Sequence, residues 1–148
     1  MVALAAPKNV KELDSSFSQR TENFGSGTLH ASSTFYPGAL VVYDTSDDTI
    51  KPGATATGLI ALGRYEGDEI VDTSVAGAPS SLQIRCGIFK LENSAASDDV
   101  ANSDAGAACY IVDDQTVMIT ATGKSPAGNV VQVDSDGVWV AVNPYVVS

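Results

Sequence analysis

The residue types that could do chemistry are few in this chain, and their spacing decides against each. His30 is the single histidine, and Cys86 and Cys109 are the two cysteines. A zinc site needs four ligands, or three and an open position. Positions 30, 86 and 109 show no ligand spacing and bring no fourth donor. The same residues would have to supply a Cys–His nucleophilic pair, and the serine elbow G-x-S-x-G is absent. Gly53–Gly58 (GATATG) has the glycine spacing of a phosphate loop. Leu59 stands where the lysine should follow, so the segment reads as a turn. Acidic clusters at Asp44/Asp47/Asp48, Asp98/Asp99, Asp113/Asp114 and Asp134/Asp136 offer oxygen to a hard cation such as Ca²⁺. None completes a D-x-[DN]-x-[DN]-G loop, and aspartate is itself a favoured turn residue. Paired carboxylates could cleave sugars, but such sites carry aromatic platforms, and this chain has one Trp and five Tyr. Trp139 is expected to be largely buried, in core or interface. The reading is a non-enzyme with no catalytic residue, no cofactor and no metal ligand.

Those clusters have to be carried by short elements. The chain has 148 residues, enough for one ordinary domain, and an apolar share of 44%, enough for a core. Eighteen acidic residues against eight basic ones give a net charge of −10. That argues against nucleic acid, whose phosphates call for basic patches. No apolar run approaches the ~20 residues of a membrane helix. MVALAAPKNV lacks the basic start of a signal peptide, so cytosolic synthesis and two reduced thiols are expected.

From residue 31 onward, short apolar runs alternate with turn clusters, which predicts an all-β antiparallel barrel or sandwich over 31–148. Ala39–Tyr43 is apolar on both faces and reads as a central strand. Leu59–Leu62 reads as a short strand closed by Gly63. Leu82, Ile84 and Cys86 alternate with polar residues until Gly87, where the parity slips to Phe89 and Leu91, the mark of a β-bulge. Residues 93–108 read as a long loop with a helical turn around Asp98–Ala101. Cys109–Val112 and Thr116–Thr120 follow as strands. The clearest hairpin is VVQV-DSDG-VWVAV, with Val133 opposite Val138, Gln132 beside Trp139, Val131 opposite Val140, and a four-residue loop. Residues 1–30 differ. Their charges cancel (Lys8, Lys11 and Arg20 against Glu12, Asp14 and Glu22), and Val10, Leu13, Phe17, Phe24 and Leu29 are scattered among polar residues. Gly25-Ser26-Gly27 reads as a flexible joint. The segment reads equally as a frayed terminus or as an extended arm that orders on a partner.

Several segments resemble one family, the capsid cement (head decoration) proteins of tailed bacteriophages. They are PGALVVYD (37–44), GLIALGRYEGDEIVDTS (58–74), RCGIFKLENS (85–94), ACYIVDDQTV (108–117) and AGNVVQVDSDGVWVAV (127–142). They occur in the family's order, and ACYIVDDQTV and DSDGVWV are the most distinctive. The chain departs from the pattern at Cys86, where a second basic residue would stand, and residues 1–34 carry no matching segment. The resemblance implies a β-rich module on the outer surface of an icosahedral head, a homotrimer that clamps neighbouring subunits of the major capsid protein. It implies a virion protein made in the host cytoplasm, with no active site. On that reading Phe17, Arg20, Phe24 and Leu29 of the arm are the capsid-contact candidates. The alternative function is a β-fold binding module displayed on the head that recognises sugars or a host surface. A small hydrolase using His30 or paired aspartates is the third reading.

Overall fold

The apolar runs form strands wherever they are long enough to pair. Residues 17–144 are described by this computed structural model. They contain β1 (Phe17–Arg20), β2 (Thr34–Phe35), β3 (Leu40–Asp44), β4 (Thr49–Pro52), β5 (Leu59–Tyr65), β6 (Val71–Asp72), β7 (Gln83–Asn93), β8 (Ala108–Ile111), β9 (Thr116–Met118), β10 (Pro126–Asp134) and β11 (Gly137–Val142). The helical content of the described residues is two single 3₁₀ turns, Thr21–Asn23 and Asn102–Asp104. The architecture is all-β, and no helix among the described residues is long and apolar enough to cross a membrane.

The longest strand, β7, organises the rest. Its first half pairs with β1 on one side (Phe17↔Cys86, Arg20↔Gln83) and with β5 on the other (Arg64↔Arg85, Tyr65↔Ile84). Its second half pairs with β11, from Val142↔Gly87 to Val138↔Leu91. From there the pairings run β11–β10–β8–β9, and β9 returns in parallel to β7 at Glu92↔Thr116, which closes a ring. On the open side the order continues β7–β5–β3–β4. Gly87 is thus where β7 changes partners. The parity slip there moves the strand from one core to another: Ile84 packs in one cluster, Phe89 and Leu91 in the second.

Strands β3 and β5 separate those two cores, which explains an ALVVY run apolar on both faces. Leu40, Val42, Leu59 and Ala61 face the ring's interior with Ile111, Val117, Val130, Val138 and Val140. Val41, Leu62 and Tyr65 face Phe35, Ile50, Val71, Leu82 and Ile84 on the other side. The two-stranded ribbon β2–β6, with Phe35 opposite Val71, contributes to that second core.

Several sequence expectations need correction. Gly63 does not end β5. The strand bulges between Val41 and Val42 of its partner and runs on to Tyr65. Gly63 lies inside it because a Cβ there would sit 2.5 Å from the Arg85 carbonyl oxygen. The helical turn falls at Asn102–Asp104, not Asp98–Ala101. The loop before it is fixed by buried Val100, whose N–H and C=O are both held by the Asn93 side chain at 2.8 and 2.9 Å. The last hairpin keeps Val133↔Val138 and Gln132↔Trp139, but a bulge makes Val130 the partner of Val140 and turns Val131 outward. Asp134 pairs with Gly137, which leaves a two-residue turn instead of four. Trp139 is less buried than Val138 and Val140, which take the inward positions, and most of its surface is still covered.

Candidate functional site

The capsid-contact candidates come from the segment read as an arm, and the structure places its described part in the body. β1 is an edge strand of the sheet. Thr21 follows it and is fully buried: its N–H donates to the Leu82 carbonyl at 3.0 Å, and its Oγ1 accepts from the Leu82 N–H at 2.8 Å. Phe24 and Leu29 are half-buried against the second core, beside Tyr43. Arg20 lies along the surface, with Nη2 donating to Ser81 Oγ at 2.5 Å and Nε 3.4 Å from Glu22. Phe17 is Cα-paired with Cys86. Residues 17–30 of the expected arm thus pack against the body, and residues 1–16 lie outside the described ones.

Gly25-Ser26-Gly27 is likewise a packed turn, not a flexible joint. The Ser26 N–H donates to Asp48 Oδ1 at 2.9 Å, and Ser26 Oγ donates to the Asp48 carbonyl at 2.7 Å. The Tyr43 hydroxyl donates to the same Oδ1 at 2.6 Å. Gly25 has φ +57°, and a Cβ on it would meet the Tyr43 ring at 2.4 Å. Those hydrogen bonds hold the Asp48 carboxyl below the usual range and raise the Tyr43 hydroxyl. Sequence reasoning took Asp44-Thr-Ser-Asp-Asp as a solvated turn and missed this latch. Its signal would have been the long-range tie between a G-S-G turn and an aspartate cluster, which spacing does not encode. Between this segment and the 73–80 loop lies an open groove of about 530 Å³, walled by Leu29, Ala31, Val75, Ala78 and Pro79.

Two of the acidic clusters, and Glu66, are met by basic side chains. Lys51 Nζ sits 2.6 Å from Asp44 Oδ2 and 2.9 Å from Asp47. The bonds from Lys51 and Ser46 hold Asp44 down to about 2. Glu66 bridges two strands, accepting from Arg64 at 2.6 Å and Arg85 at 3.1 Å. Burial pushes its carboxyl up, and the two guanidinium hydrogen bonds outweigh that and lower it. Lys90 joins Asp134 and Asp136, and stacks on Trp139 at 5.7 Å, while Trp139 Nε1 donates to Asp134 Oδ2 at 2.8 Å.

His30, Cys86 and Cys109 do not meet. His30 Nδ1 shares a hydrogen bond with Ser33 Oγ at 3.1 Å. Cys86 Sγ donates to the Leu62 carbonyl, and Cys109 Sγ to that of Gly128. Both are buried free thiols, pushed up to about 11 and about 12 by burial. Gly53–Gly58 forms a turn anchored by buried Ser125, whose Oγ accepts from the Leu59 N–H and donates to the Ala56 carbonyl. Among the described residues no three His, Cys, Asp or Glu are grouped to hold a metal ion.

No family model, curated protein or solved structure matches the chain. Its surface carries further features that bear on function. Two parts of that surface stand out. One is the 17–30 seam with its groove. The other is the outer face of β7, β11 and β10, where Ile88 and Val131 are exposed beside Trp139.

Proposed function

We propose that this chain is a capsid cement protein, which binds the outer surface of a tailed-phage icosahedral head and stabilises contacts between capsomers, as a homotrimer. One observation carries the reading: the segments that resemble the family are the segments that build the frame. They supply β3, β5, β6, β8 and β11 whole, most of β7 and β10, and β9 up to Val117. What lies outside them is β1, β2 and β4, at the side where the chain enters the sheet. A frame built from segments that resemble one family, with an entry segment at its edge that does not, suits a module whose partners differ from head to head. A sugar-binding role would call for an open aromatic platform. The Trp139 indole is pinned by Asp134 and mostly covered, which favours packing against protein.

The test uses the full-length chain and undecorated heads of the phage that encodes it. The protein is expected to co-sediment with heads at a fixed stoichiometry and to raise the temperature at which they release DNA. Heads that remain bare in excess protein would refute the proposal.

A further inference from the structure

We propose that the outer face of the β2–β6 ribbon, together with the groove beside it, docks onto a protein surface that carries lysine or arginine among apolar side chains. The inference rests on the cement reading above and names the surface that meets the head.

The apolar part of this face follows from the ribbon's register. Phe35 lies opposite Val71, and both are buried in the second core. Alternation turns the next residues along, Tyr36 and Ile70, to the opposite side. They are 52% and 59% exposed, and Val75, in the turn after β6, is 58% exposed. These are the three most exposed large apolar side chains among the described residues. Single apolar residues on a surface are ordinary, but a group of them rimmed by polar ones marks an interaction site. Val75 also stands with Leu29, Ala31, Ala78 and Pro79 in the wall of the groove, so the ribbon face runs into it.

Charge selects the occupant. The stretches 21–50 and 65–84 build both ribbon and groove, and neither contains a lysine or an arginine. Asp68 and Glu69 are exposed next to Ile70, and among the described residues no base pairs with either. Asp72, on the outer side with Thr34, accepts hydrogen bonds from Ser74 and likewise meets no base. The bases that border these stretches are already engaged: Arg20 with Glu22, Lys51 with Asp44 and Asp47, and Arg64 and Arg85 with Glu66. An apolar face beside three uncompensated carboxylates repels a second copy of a −10 chain, a nucleic acid or an anionic lipid surface. It attracts a cationic protein surface, to which the carboxylates give steering and register. Tyr36 supplies an aromatic side chain of the kind that anchors interfaces.

The test compares two double variants with the same charge change. Asp68→Asn with Glu69→Gln lies on the ribbon. Glu92→Gln with Asp99→Asn lies near the far end of β7 and in the loop after it, where both carboxylates are exposed. On undecorated heads, the ribbon double should bind about tenfold more weakly than the parent at low salt, with a flatter salt dependence. The control double should stay near the parent. Tyr36→Ala should lose about tenfold with the salt dependence unchanged. The inference is overturned if the ribbon double binds like the parent, or if both doubles weaken alike. It is overturned as well if Tyr36→Ala breaks up an assembly of the head-free chain, since the occupant is then another copy. A second arm needs no head. A synthetic peptide of alternating lysine and leucine should bind the parent and the control double alike, and the ribbon double about tenfold more weakly. Equal binding to all three overturns the inference. A parent that ignores heads but passes the peptide arm overturns the cement reading alone. A parent that decorates heads equally well with the ribbon double's charges removed overturns this inference alone.

Discussion

At the scale of single residues, the fold is fastened by short polar side chains more than by charged ones. Thr21, Ser125 and Asn93 each satisfy main-chain groups in buried or half-buried places. None of the described buried side-chain polar atoms lacks a partner. Thr21 is the sharpest case, because its hydroxyl is the acceptor for the Leu82 N–H beneath a fully buried position. Thr21→Val keeps the shape and removes the acceptor. An orphaned buried donor costs about 1–3 kcal/mol, so denaturant unfolding should show a loss of that size with an unchanged m-value. A loss near zero would mean that water replaces the hydroxyl and that the 17–24 segment is looser than its geometry.

At the scale of elements, the seam between β1 and the body decides what a truncation does. A chain that begins at residue 17 keeps all of the described residues. Removing residues 1–28 strips β1 from the edge of β7, the Thr21 bonds, Phe24, and the Ser26–Asp48 latch. Half-burial of one Phe, with the Thr21 bonds, is worth roughly 2–3 kcal/mol together. The melting temperature should therefore be several degrees lower in the second truncation than in the first. Equal melting temperatures would show the seam to be peripheral. The sequence is legible in the elements where pattern and pairing coincide: the two-faced ALVVY run, the alternation into Cys86, the slip at Gly87 and the final hairpin. FSQR has too little alternation to announce a strand, and β1 exists because β7 leaves an edge for it. The bulges near Leu62 and Val131 were equally silent, since a bulge is set by the partner strand's register. The proposed docking face depends on the pairing of two-residue strands, so Tyr36 and Ile70 could not be grouped from spacing.

At the scale of the whole molecule, acidity and stability pull in different directions with pH. Lowering the pH from 7 relieves the repulsion of a −10 chain, and it also relieves Asp114, whose carboxyl is raised by burial and by neighbouring Asp113. Against this stand Asp44, Asp47, Asp48, Glu66, Asp72 and Asp134, all lowered by hydrogen bonds or ion pairs. A carboxyl lowered on folding stabilises the protein fully above its unfolded value and ceases to do so as pH falls through its folded one. For Asp44 that window runs from the ordinary 3.8 down to about 2. Six groups of this sign outnumber the one raised, so the melting temperature should hold or rise slightly from pH 7 to 5 and fall steeply between pH 4 and 2. Asp44→Asn cannot titrate and leaves Lys51 with Asp47 alone. It should be less stable than the parent at pH 7, and the gap should narrow below pH 4 as the parent's Asp44 is protonated. A gap that stays constant down to pH 2 would mean that the Lys51 ion pair contributes nothing and that the variant's cost is one of packing.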